Sequence, residues 1–308
     1  MSGVRIIQRV VFGFVTASAL ALALGCAEEL PSRELGSSAP ASRFGHLSIT
    51  YSEHRVPGGV DPQVIASGLF ARHIGVSKTD VVSAIVSSDG FDDTPVVGAC
   101  RVESRALGLR PGEDHFVDLV DAGELRVNAP AGSVRLDRRS FPEVYPAVTG
   151  LTYEGTLPRP ELGEDTPLRI EGRGSYEVGP FVVEATLPAV PSLLAVDGTP
   201  VTGPYAAVRW DADLEVRWAV PEPNRRAATA LIDVVVLGYD RVTTLRCATP
   251  DSGLALLPRA GLAALADARQ PDATTRLVVQ RVRHAPFAAA GIHGGEVVVS
   301  SRDAVLVE

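Results

Sequence analysis

The stretch Asp213-Leu214-Glu215-Val216-Arg217-Trp218-Ala219-Val220-Pro221 decides the fold class. Leu214, Val216, Trp218 and Val220 fall on one face, and Glu215 and Arg217 on the other. Side chains of a strand point alternately to opposite faces, so this is the pattern of a half-buried β-strand with Trp218 in a core. Downstream, Leu231–Leu237, apolar except for Asp233, fits a central strand, and Thr243–Ala248 continues the pattern. Asp251-Ser252-Gly253 reads as a turn. Pro258–Asp267, rich in Leu and Ala, predicts a helical crossover between sheets. Arg276–Arg283, Glu296–Ser300 and Ala304–Val307 read as three further strands.

Upstream the signal repeats. His46–Tyr51 alternates in period two, and Val64–Arg72 fits a strand or a helix begun at Asp61-Pro62. Thr79–Ser88 and Val96–Glu103 read as strands. Glu124–Asn128, Ser133–Asp137, Leu151–Gly155, Leu168–Gly172 and Phe181–Leu187 follow, each bounded by Gly or Pro. Short strands every ~10 residues with Gly/Pro turns predict an all-β protein built of sandwiches or barrels. Proline-rich 187–204 loses the alternation, which places a domain boundary near residue 190. The expectation is two β-sandwich domains, 44–190 and 191–308, preceded by a polar Pro/Ser/Gly stalk over 26–43.

Residues 1–25 form a separate unit. Arg5 and Arg9 precede the uncharged run Val10–Gly25, whose 16 residues fall short of the ~20 needed to span a bilayer as a helix. A positive start, a short apolar core and small residues at the end form the pattern of a cleaved secretory signal. Ala23-Leu24-Gly25-Cys26 resembles the lipobox of bacterial lipoproteins, with Ala23 where Leu is commonest. The resemblance implies cleavage before Cys26, acylation of its thiol and new amino terminus, and a permanent membrane attachment through the acyl chains. Ala27 after the cysteine resembles the outer-membrane class. Cys247 with Asp251-Ser252-Gly253, Leu257-Pro258 and the Leu-rich turn resembles a module of uncharacterised exported bacterial lipoproteins. Asp121–Leu125 and Val178-Gly179-Pro180-Phe181 with Leu187-Pro188 look like the region that precedes it. That family implies immunoglobulin-like β-sandwiches and has no assigned activity.

The chain of 308 residues carries a formal net charge of −8, and losing the two arginines of the signal takes it to −10. This balance argues against nucleic acid or an anionic membrane surface as a partner. Lysine occurs once, at Lys78, and neither a Walker A loop nor a Ser-x-x-Lys site surrounds it. Gly-x-Ser-x-Gly, His-Glu-x-x-His and Cys-x-x-Cys are absent from the sequence. No cofactor is implied.

Several residues carry two readings. Asp89, Asp92 and Asp93 around Gly90 supply hard oxygen ligands for calcium, yet Asp/Gly clusters are also ordinary solvated turns. Asp118, Asp121 and Glu124, and Asp211 with Asp213, divide the same way. Cys100 and Cys247 either bridge in an oxidising compartment or pack as separate buried thiols, the reading favoured here because Cys behaves as a small hydrophobe. His46 and His54 could join a metal site through folding, but isolated histidines are the simpler reading. His73, His115, His284 and His293 are scattered, and Tyr205 and Trp210 could stack on a sugar or peptide. The function expected is a non-enzymatic, lipid-anchored envelope protein that acts as a structural, adhesive or partner-binding module for envelope proteins or polymers. The alternative is an envelope hydrolase whose site is assembled from dispersed residues.

Overall fold

A computed structural model describes residues 41–56, 59–75, 77–85, 94–106, 116–141, 148–157, 164–220 and 229–308. The chain is mostly β, with two helices among the described residues. It begins with the long hairpin β1 (Ser42–Val56) and β2 (Gly59–Ile74), then helix α1 (Lys78–Ile85). Next come β3 (Cys100–Ala106), β4 (Phe116–Leu119), β5 (Leu125–Ala129), β6 (Gly132–Arg135), β7 (Asp137–Ser140) and β8 (Val148–Thr156). They lead into β9 (Pro167–Gly172), β10 (Phe181–Thr186), β11 (Leu193–Val196), β12 (Thr199–Pro200), β13 (Tyr205–Ala206) and β14 (Leu214–Trp218). The remainder is β15 (Thr229–Leu237), β16 (Arg241–Pro250), β17 (Leu254–Leu257), α2 (Arg259–Ala268), β18 (Thr274–Phe287) and β19 (Gly294–Val307).

Eleven strands form one sheet in the order β3-β16-β15-β18-β19-β1-β2-β4-β8-β7, with β13 beside β19. Two sheets of four strands accompany it, β10-β9-β5-β6 and β12-β11-β14-β17. The expected boundary near 190 falls between these two small sheets. It does not divide the strands into two sets, however, because the large sheet takes β1, β2, β3, β4, β7 and β8 from one side and β13, β15, β16, β18 and β19 from the other. At its centre β1 and β19 run parallel, Phe44 opposite Gly294 through His54 opposite Ala304.

One face of this sheet carries two apolar clusters, and the register of β18 and β19 shows why there are two. On β19, Val297 and Val299 enter the first cluster and Val305 and Val307 the second; Ser301 and Asp303 lie between them on the same alternation. On β18, Ala285 and Phe287 serve the first and Leu277 and Val279 the second, with Arg281 and Arg283 between. The first cluster joins Leu47, Ile49 and Phe70 to Leu125, Ile170 and Phe181 of the β5/β9/β10 sheet. Gly295 makes room there: a Cβ on it would sit 2.3 Å from the ring of Phe287, which stacks on Phe181 at 4.5 Å. The second joins Ile232, Val234 and Val279 to Trp218, Val216 and Leu257, with Leu262 and Leu265 of α2. A third cluster, around Phe44, Leu69 and Ala71, takes Val81 and Val82 of α1.

Four sequence expectations are corrected. Thr79–Ser88 is not a strand where described; its start is α1. Ser77 Oγ accepts the amide of Asp80 at 3.1 Å and donates to its carboxylate at 2.7 Å, a reciprocal cap that starts a helix despite Val81 and Val82. Cys100 and Cys247 are not separate thiols. They sit opposite one another on β3 and β16, 4.0 Å apart at Cα, and form a disulfide. Glu296–Ser300 and Ala304–Val307 belong to one strand, and Val220 lies beyond β14, exposed.

Candidate functional site

Of the two rows of polar residues between the clusters, Arg281, Ser301 and Asp303 are buried and Arg283 is half-buried, and each is matched. Arg281, 3% exposed, meets Asp251 through Nε at 2.5 Å and Nη2 at 2.9 Å, and also reaches the carbonyls of Ala189 and Ala219. Asp251 in turn accepts the indole N–H of Trp218 at 2.7 Å. Asp303, fully buried, pairs with Arg55 at 2.5 Å and accepts the amide of Leu193 at 2.7 Å. Arg55 also donates to the carbonyls of Leu193 and Val201, and Ser301 to that of Pro188. Buried charges are stable only when paired and hydrogen-bonded. Here the same groups satisfy the backbone of the proline-rich 187–204 stretch, so the segment expected to carry a domain boundary is clamped onto the sheet.

Beside this seam lies a cavity of about 560 Å³. Its walls come from the end of β5 (Asn128, Ala129, Pro130), the start of β9 (Pro167, Leu168, Arg169), the end of β10 (Glu184, Ala185, Thr186) and β18 (Arg283, His284, Ala285). The size and the mainly apolar lining suit a small ligand or a short peptide segment. Its charges are engaged: Arg283 bonds Asp165 at 2.8 Å and Thr186 Oγ1, while Arg169 bonds Glu171 at 2.6 Å and lies 3.5 Å from Glu184. Glu184 is the one carboxylate among these lining residues, whereas glycoside hydrolysis needs two flanking the scissile bond.

A second polar group sits on the opposite face of the large sheet. Lys78 of α1 donates to Glu296 at 3.0 Å, and Glu296 meets His284 Nδ1 at 2.6 Å. Those two partners, His284 foremost, hold the Glu296 carboxyl down at about 2. His46, opposite Glu296 in the register, is buried with neither ring nitrogen bonded.

The residues singled out from sequence are placed as follows. Cys26, the calcium candidates Asp89, Asp92 and Asp93, and His115 lie outside the described residues; of His54 only the backbone is described. Asp118 pairs with Arg72 at 2.7 Å, and Glu124 with Arg126 at 3.0 Å. Asp121 accepts the hydroxyl of Tyr153 at 2.6 Å; burial, then that bond, pushes the Tyr153 phenol up. Asp213 accepts the amide of Arg259 at the start of α2. Trp218 is core, Trp210 packs half-buried with Arg269 over its ring at 5.7 Å, and Tyr205 is exposed. Among the described residues no three His, Cys, Asp or Glu side chains are placed to hold a metal ion. Sequence reasoning missed the seam and the Lys78–Glu296–His284 chain. The signal for the seam was Ser300-Ser301-Arg302-Asp303 set inside an apolar strand.

A scan of the sequence against protein-family models gives no match, and a search of curated proteins gives none either.

Proposed function

We propose that this chain is a cell-envelope lipoprotein, held at the outer membrane by acyl chains on Cys26, whose folded part is a non-enzymatic structural or partner-binding module. The observation that carries this reading is the use made of the buried charges. Asp303 with Arg55 and Asp251 with Arg281 bind together parts of the chain distant in sequence, and Asp233 with Arg246 at 2.7 Å ties β15 to β16. They hold a rigid body rather than present a reactive group. The apolar cavity beside the seam gives this body a place to receive a segment of an envelope protein or polymer. In this reading the architecture is two immunoglobulin-like β-sandwich layers raised on one shared sheet, supported by the two apolar clusters on a single face.

The test is intact mass and membrane fractionation of the native protein beside a Cys26→Ser variant. Acyl mass on Cys26 and an outer-membrane fraction lost in the variant are expected. Two soluble proteins cut elsewhere would overturn the anchor, and turnover of an envelope polymer by the purified protein would overturn the non-enzymatic role.

A further inference from the structure

His46 is poorly served where it stands. It lies on β1, on the face away from the two large clusters, with Leu69 of β2 and Glu296 of β19 as register neighbours. It is 1% exposed, and neither Nδ1 nor Nε2 has a hydrogen-bond partner. A neutral imidazole carries one donor and one acceptor, so both are left unsatisfied out of water.

The cover at this corner is α1. Val81 and Val82 are buried against Phe44, Leu69, Ala71, Val117, Leu119 and Val148. Lys78, the first residue of α1, lies 5.9 Å over the Phe44 ring and reaches Glu296, which also holds His284 of β18. The chain Lys78–Glu296–His284 therefore fastens the helix to β19 and β18 beside His46. From β2, His73 stands edge-on to Phe44 at 5.4 Å, and Arg72 is bonded to Asp118. Of the charged groups facing His46, Glu296 favours a proton on it, while Lys78 and His284 oppose one. Burial outweighs them all and holds the imidazole down at about 4.

We propose that α1 is an acid-released lid: it closes over neutral His46 and opens when that imidazole takes up a proton, uncovering Phe44, Leu69 and Ala71. Opening admits water to both ring nitrogens and separates Lys78 from the new charge. The lidded His46 titrates near 4, against 6.5 when hydrated. Below 6.5 the open form binds more protons at His46, so opening grows as pH falls, and the contribution of His46 levels off below 4. The open population rises about 30-fold between pH 7.5 and pH 5. Glu296, held at about 2, stays ionised throughout this window.

Amide hydrogen exchange of the full chain at pH 7.5 and 5, corrected for the intrinsic effect of pH, tests this. The amides of Val81 to Ile85 should open about 30-fold more at pH 5, with the centres of β15 and β18 unchanged. His46→Leu should abolish the rise. Should that variant fail to fold, Lys78→Gln serves: it should open more at both pH values and keep the rise. Corrected exchange in the native protein that is equal at the two pH values overturns the lid. So does an equal rise in folded His46→Leu.

Discussion

Replacing Cys100 and Cys247 by serine removes the one covalent tie between β3 and the sheet, and its cost follows from the loop it closes. The two cysteines are 147 residues apart. Freeing a loop of that length returns about 5 kcal/mol of entropy to the unfolded chain at 25 °C, from the logarithmic dependence on loop length. Burial compensates little. Cys100, Arg101, Val102, Glu103 and Ser104 of β3 are all exposed, and Val102 keeps 39% of its surface in water. What remains includes the ladder to β16, the neighbouring helix α2 and the Ser104–Thr243 hydroxyl contact at 3.0 Å. In a folded region of this size each kcal/mol moves the melting point by about 2–4 °C, so the double variant should melt about 10–20 °C below the native protein. The assay is calorimetric or circular-dichroism melting of both proteins without reductant, with hydrogen exchange of β3 as a second readout. Melting within about 2 °C of the native protein, with β3 amides as protected as those of β16, would refute the reasoning.

Asp251→Ala leaves the Arg281 guanidinium buried without its carboxylate; a loss of about 3–5 kcal/mol is expected in urea unfolding, against a much smaller loss when both are replaced by Leu and Met. Tyr153→Phe strands the amide of Ala122, bonded to the hydroxyl at 2.8 Å, and takes one of its hydrogen bonds from the Asp121 carboxylate. It should cost about 1–3 kcal/mol, and no measurable loss would mean water replaces the hydroxyl. Gly150 has φ +115°, and a Cβ there would lie 1.9 Å from the Leu119 carbonyl oxygen, so Gly150→Ala should destabilise by more than the ~1 kcal/mol of a simple glycine exchange. The depressed carboxyl of Glu296 contributes stability that is present above its ordinary 4.5 and lost as pH falls through about 2. Acid titration of exchange at α1 should show this second, lower step, and Glu296→Gln should lack it.

Much of the β architecture was legible because half-buried strands advertise themselves. The period-two run at Leu214–Trp218 is β14, and Leu231–Leu237, apolar but for Asp233, is nearly all of β15. The Leu/Ala-rich stretch is α2, and it does carry the chain from β17 in a small sheet to β18 in the large one. Two misreadings share one cause, polar residues within or beside an element. Ser301 and Asp303 break the apolar alternation of β19, so one strand read as two. Ser77 and Asp80 start a helix whose valines read as a strand. Pairings between distant segments, Cys100 with Cys247 or Arg281 with Asp251, leave no trace in local pattern and depend on topology. The candidate cavity was illegible for the same reason, being assembled from the ends of strands far apart in the chain.

The parallel seat of β1 beside β19 has a consequence for the time course of folding. Phe44 pairs with Gly294 across 250 positions, so the first strand of the large sheet lacks one of its two central neighbours until the last strand has been made. Contacts of such long range are slow to form because the intervening chain must be closed before they contribute. β1 and β2 can form their hairpin early, yet one edge of β1 stays open meanwhile. The large sheet therefore gains its central pairing only once β19, the last of the described strands, has been made.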